Sequence, residues 1–132
     1  MGDEISKSAK ILVAEDNEAN QFLIKAISRG TDWEIIVVDD GEQAIEEYRK
    51  QSFDLVLMDV QMPILNGYEA TKIIREIEKE KGIYTPIVAL TAYAMKSDKD
   101  QCIEAGMDDY ISKPFKRQEF LDMVNNKLNR RG

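Results

Sequence analysis

The chain has 132 residues, 43% hydrophobic and 33% charged, with a formal net charge of −7, the composition of one globular domain with a single sizeable core. The acidic balance argues against a nucleic-acid-binding surface. With no histidine and one cysteine, Cys102, it lacks Ser-His and Cys-His nucleophilic pairs, most zinc sites and any internal disulfide, which fits a reducing cytoplasm. No apolar run approaches the length of a bilayer span, and MGDEISKSAK has no signal-peptide core, so a cytoplasmic location is expected.

Residues Met1–Ala9 are polar and read as a frayed leader ahead of a domain over 10–129, with 130–132 as a tail. Ile11-Leu12-Val13-Ala14 is a buried-strand candidate ending at Glu15-Asp16. Asn17 suits a helix cap, and Ala19, Phe22, Leu23, Ala26 and Ile27 then recur at helical spacing up to Gly30. Ile35–Val38 gives a second strand, closed by Asp39-Asp40-Gly41, with Asp39-Asp40 as the cap of a helix that turns Ala44, Ile45 and Tyr48 inward. Leu55–Met58 is an unbroken apolar run ending in Asp59, and Pro63 prevents its continuation. A helical stripe of Ala70, Ile73, Ile74 and Ile77 follows, capped at the start by Asn66 and ending near Lys81-Gly82.

Pro86–Leu90 is the fourth strand and hands over to Thr91-Ala92. A weaker helix covers Lys96–Ala105, with Cys102 as a small buried hydrophobe, and stops at Gly106. Asp109–Ile111 is a short fifth strand reaching Ser112-Lys113-Pro114. The last helix turns Phe120, Leu121, Val124 and Leu128 inward, and Lys127, Arg130 and Arg131 suit its C-terminal dipole. Strands with little period-two alternation, separated by helices, imply a parallel sheet covered on both faces, a doubly wound α/β sandwich.

The polar residues fall at one kind of place. Glu15 and Asp16 close strand one, Asp59 strand three, Thr91 strand four and Lys113 strand five. The carboxyl ends of parallel strands share one edge, where such sheets bind ligands. Three carboxylates gathered there repel; at ~4 Å and an effective dielectric of about 20, each pair costs on the order of 4 kcal/mol. A hard divalent cation offsets this, and an oxygen-only set favours Mg²⁺. Lys113 and the Thr91 hydroxyl remain for a small oxyanion, of which a phosphoryl group is the natural choice. No P-loop pattern is present, so the phosphoryl group is expected on the protein itself, with Asp59 as a carboxylate nucleophile forming an acyl phosphate.

In order, the motifs ILVAEDN, DLVLMDVQMPILNGYEA, PIVALTA and GMDDYISKPF make the chain similar to the receiver domains of two-component response regulators, from about Lys10 to Leu128. The flavour is nearest to receivers of hybrid histidine kinases. The resemblance implies a five-stranded parallel sheet of order 2-1-3-4-5, a flavodoxin-like three-layer sandwich. It implies Asp59 as acceptor of phosphoryl from a phosphohistidine, and Mg²⁺ held by Asp16, Asp59 and the Gln61 carbonyl, with Glu15 assisting through water. Lys113, ahead of a cis Pro114, the Thr91 hydroxyl and the Ala92 N–H would bind the phosphoryl oxygens, and Tyr110 would be the switch aromatic that follows Thr91. The partner would be a histidine kinase or histidine phosphotransfer protein docking on helix one at Asn20, Gln21, Ile24 and Lys25, with Ile24 as an apolar residue outside the inward stripe. Gln61 and Tyr93 lie where the family tunes acyl-phosphate lifetime. The chain departs from the usual pattern at Glu15, where Asp is common, and at Asn66, before Gly67.

Blander readings exist for each residue. Asp59 alone is a solvated strand-end acid, Glu15-Asp16 a pair favouring a helix N-terminus, Lys113 and Thr91 surface residues, and Tyr110 a core tyrosine with its hydroxyl at the rim. Convergence favours the sharper reading: a signalling module rather than an enzyme turning over a substrate. A rival is a Mg²⁺-dependent phosphohydrolase with an aspartyl-phosphate intermediate. Haloacid-dehalogenase-type enzymes place a second Asp two residues beyond the nucleophile, where this chain has Gln61, and no cap domain follows. An electron-transfer domain of flavodoxin type would need a Gly/Ser/Thr-rich phosphate cradle in the first loop.

Overall fold

The computed structural model describes residues 9–92 and 96–129. Expectations for the rest of the leader, for Tyr93 and for Arg130 and Arg131 lie outside them. Five strands and five helices alternate: β1 (Lys10–Ala14), α1 (Glu18–Ser28), β2 (Glu34–Val38), α2 (Gly41–Lys50), β3 (Leu55–Asp59), α3 (Gly67–Lys81), β4 (Ile87–Thr91), α4 (Lys96–Ala105), β5 (Asp109–Ser112) and α5 (Arg117–Asn129). All pairings are parallel and the strand order is β2-β1-β3-β4-β5, as expected. β3 is buried along its whole length because strands and helices enclose it on every side.

Alternate residues of each strand feed two cores. Leu12, Val56, Met58 and Ala89 join Ala44, Tyr48, Ala70 and Ile74 on the face covered by α2, α3 and α4. Ile11, Val13, Leu55, Leu57 and Leu90 join Ile24, Ile27, Phe120 and Val124 on the face of α1 and α5. Helix ends follow local chemistry. Asn17 accepts from the Asn20 N–H, and Asp40, rather than the Asp39-Asp40 pair, accepts from Gln43. Asn66 and Glu69 form a reciprocal capping box, and Gly82 (φ 70°) closes α3 in the left-handed region.

Two helical stripes are rotated from the sequence reading. In α1, Ile24 is fully buried with Ile27 and Ser28, while Phe22 is 65% exposed and Leu23 36%. Ile24 is therefore core, and the expectation that it lies on a docking face is wrong. The six apolar residues of EANQFLIKAIS fall on more than one face; the inward face, Ile24 and Ile27 with the polar Ser28, packs on the sheet. In α3, Ile73 is exposed, and the polar Thr71 and Glu78 are buried in its place.

Candidate phosphoacceptor site

The carboxyl edge of the sheet gathers the expected residues. Glu15 follows β1, is fully buried, and is fixed by its own N–H donating to the Val38 carbonyl at 3.0 Å. The N–H of Asn17 donates to its Oε2 at 3.1 Å. Asp59 ends β3 and is 3% exposed. Asp16 is exposed beside them, and one carboxylate oxygen from each of Glu15, Asp16 and Asp59 lies within 4.8 Å of the others. The Lys113 ammonium reaches across from the end of β5 to Glu15 Oε1 at 3.1 Å and Asp59 Oδ2 at 3.2 Å. Its own N–H donates to the Thr91 carbonyl at 2.7 Å, and the Lys113–Pro114 bond is cis.

Backbone geometry holds Asp59 in place. The Gln61 N–H donates to Asp59 Oδ1 at 3.1 Å, Val60 N–H to the Leu90 carbonyl, and Gly67 N–H back to the Val60 carbonyl. A Cβ on Gly67 would meet the Asp59 carbonyl oxygen at 2.3 Å, so only glycine lets α3 start under the site. Gly41 faces a similar limit: a Cβ there would lie 2.4 Å from the Leu65 carbonyl, which accepts from the Gly41 N–H.

Electrostatics make the site a charge trap. Burial, then repulsion from Glu15, pushes the Asp59 carboxyl up to about 7, against the opposing pull of the Gln61 N–H and Lys113. For Lys113 burial favours the neutral form, yet Asp59 and Glu15 outweigh it and raise its pKa. One ammonium does not neutralise three carboxylates. The all-oxygen donor set that remains suits a hard divalent ion.

Thr91 is buried at the end of β4, and Ala92 is exposed beyond it. Tyr110 pairs with Ala89 across β4 and β5, is half-buried against the α2–α4 core, and carries the Lys99 ammonium 5.1 Å from its ring centre. On α1, the Gln21 side-chain amide donates to the Glu15 carbonyl and to Asp39 Oδ1 at 2.8 Å, placing that residue at the rim. The sequence reading missed Ile64, 73% exposed in the β3–α3 loop with φ 69°, and the outward Phe22. The only available signal was an isoleucine in a Pro-Ile-Leu-Asn-Gly turn, where β-branched residues are out of place.

Residues 11–125 match the response regulator receiver domain family. The chain belongs to it. Receivers are the phosphoacceptor modules of two-component phosphorelays, and the family binds Mg²⁺. A hybrid signal transduction histidine kinase I of Dictyostelium discoideum is 44% identical over 136 residues, covering 96% of this chain and 8% of the kinase. This receiver thus spans a small part of such curated relatives. The receiver domain of the sensor histidine kinase PA1611 of Pseudomonas aeruginosa, with magnesium coordinated in its active-site cleft, is 40% identical with a TM-score of 0.82 over 93% of this chain and 99% of that one. The receiver of Saccharomyces cerevisiae Ssk1, solved with the histidine phosphotransfer protein Ypd1, is 30% identical with a TM-score of 0.81, covering 92% of this chain and 87% of that one. Among the described residues, no helix is long and apolar enough to cross a membrane.

Proposed function

We propose that residues 10–129 form a cytoplasmic receiver that takes one phosphoryl group onto Asp59 from the phosphohistidine of a kinase or phosphotransfer protein. An Asp59 oxygen attacks phosphorus, the P–N bond breaks, and its electron pair leaves with the imidazole, which takes a proton. The observation that carries this reading is the contact of Lys113 with both Asp59 and Glu15 at the end of a fully buried strand. Lys113 releases one carboxylate contact to pair with the incoming phosphoryl oxygens, and the Thr91 hydroxyl and the Ala92 N–H supply further donors. Glu15, Asp16, Asp59 and the Gln61 carbonyl would hold Mg²⁺, which supplies the positive charge that lets two anions approach.

The doubly charged product draws Thr91 toward it, and Tyr110 repacks into the space vacated. The chain then acts by changing its surface rather than by turning over a substrate, and it neither binds nucleic acid nor enters a membrane. The donor docks along α1, where Asn20 and Gln21 flank the crevice and the outward Phe22 and Leu23 supply the apolar contact expected of Ile24.

Incubation with acetyl phosphate and Mg²⁺ should add one phosphoryl mass to the intact chain, labile to hydroxylamine. Chelation or Asp59→Asn should abolish the adduct with the fold intact. An undiminished adduct in Asp59→Asn would sink the assignment.

A further inference from the structure

The β1–β2 ladder stops with Ala14 opposite Val38, and the next residue, Glu15, is fully buried. Its N–H donates to the Val38 carbonyl, but its own carbonyl is served by a side chain rather than a strand: the Gln21 amide donates to it. Gln21 stands one turn into α1, its N–H bonded to the Asn17 carbonyl at 3.0 Å, and its side chain folds back over the loop that α1 has just left. The same amide nitrogen donates to Asp39 Oδ1 at 2.8 Å. Both neighbours are acceptors, so only the nitrogen end of the amide fits between them. Asp39 is itself fixed to α2, its N–H donating to Gln43 Oε1 at 2.8 Å. One half-buried glutamine thus ties the β1–α1 loop to the start of α2.

What this clamp holds bears on the crevice. The Glu15 carbonyl belongs to the same rigid peptide group as the Asp16 N–H, so fixing it fixes the direction in which the Asp16 side chain leaves the backbone. The other two carboxylates are held through their own oxygens. Glu15 is bonded by the Asn17 N–H and Lys113, and Asp59 by the Gln61 N–H and Lys113. Asp16 is exposed, so packing does not place it. Repulsion from two buried carboxylates drives it toward water, yet one of its oxygens lies within 4.8 Å of oxygens from both. Its backbone supplies the restraint, and Gln21 is bonded to that backbone.

We propose that Gln21 is a positioning residue for the divalent cation: it holds the Glu15–Asp16 peptide so that the Asp16 carboxylate converges on Glu15 and Asp59 before the ion arrives. The inference rests on the metal-assisted acceptor reading above. It gives Gln21 a task inside the crevice, separate from any contact with a donor protein at the rim. The defect it predicts is as visible with a small acyl phosphate as with a protein donor.

The test compares the parent chain with Gln21→Met, which matches the side chain in length and lacks the donors, and Gln21→Asn, which keeps the amide but is one methylene shorter. Calorimetric titration with Mg²⁺ at pH 8 should give about tenfold weaker affinity in both variants, the usual effect of losing a bond behind a metal ligand. With acetyl phosphate as donor, the Mg²⁺ concentration for half-maximal labelling should rise by the same factor, and saturating Mg²⁺ should recover the parent rate. Melting temperatures in chelator should stay close to that of the parent, since the lost bonds are offset by relief of the carboxylate repulsion. A merely structural glutamine would lower that temperature and leave Mg²⁺ affinity alone. Unchanged Mg²⁺ affinity in Gln21→Met would overturn the proposal. So would a slow rate that saturating Mg²⁺ does not restore, or a loss confined to a phosphorylated histidine phosphotransfer protein as donor, which would make Gln21 a docking contact only. A parent that takes up no Mg²⁺ would overturn the metal reading and this proposal together, a failure visible before any variant is made.

Discussion

Below about pH 7 burial and Glu15 favour Asp59 as a neutral acid, whereas the proposed attack on phosphorus requires the anion. Its carboxyl is pushed up to about 7 by burial and by Glu15, from roughly 3.9 in an unfolded chain. The folded state therefore binds this proton more tightly, so the stability Asp59 contributes is full below about pH 4 and is lost as pH climbs through about 7. In chelator at pH 8, Asp59→Asn should stabilise the chain by roughly 2–4 kcal/mol in urea unfolding. Mg²⁺ should raise the melting temperature of the parent strongly at pH 8 and weakly at pH 5. It should do little for Asp59→Asn. Equal Mg²⁺ shifts in parent and variant would show that the ion acts elsewhere.

At the scale of elements, the helices read from apolar spacing alone came out half right. Gly82, Asn66, Asn17 and Asp40 act where their chemistry predicts, because a cap is a local contact between neighbours in sequence. The phase of α1 was not legible, since six of its eleven residues are apolar and fall on more than one face; packing on β1 and β3 decides which turns inward. In α3 the stripe skipped Glu78 because buried polar residues follow partners rather than periodicity. Glu78 accepts from the Tyr48 hydroxyl at 2.6 Å, from the Thr85 N–H at 2.8 Å and from Arg75 at 2.6 Å. Its carboxylate and the burial of Tyr48 push that phenol up to about 12, burial being the larger cause.

Arg75 binds the same cluster to the start of β5. Its guanidinium donates to the carbonyls of Gly106 and Thr85 and pairs with Asp108 at 2.9 Å, while Tyr84 stacks 4.2 Å from its centre. Arg75→Met leaves the Glu78 charge buried with one partner fewer and should cost roughly 3–5 kcal/mol. Adding Glu78→Leu should recover part of that loss in the same urea titration; an additive double variant would mean that the two residues act independently.

On the scale of the whole molecule, the fold was legible because five apolar strands without alternation admit few arrangements once crossovers are right-handed. That topology carries Glu15, Asp16, Asp59, Thr91 and Lys113 to one edge, although up to 98 residues separate Lys113 from Glu15 in the chain. The sequence did not disclose Ile64, because a strained loop conformation follows from contacts at Gly41 and Leu65 that no local pattern records. The same edge sets the electrostatics of the site: the repulsion that raises the Asp59 pKa is what a bound cation would relieve.

The central claim is that the acceptor is Asp59, and borohydride reduction of the phosphorylated chain followed by peptide mapping tests it most directly. An aspartyl phosphate is reduced to homoserine at its own position. Homoserine at residue 59, dependent on Mg²⁺ during phosphorylation, is the predicted result. Homoserine at Asp16 or at any other acid, with residue 59 still aspartate, would contradict it.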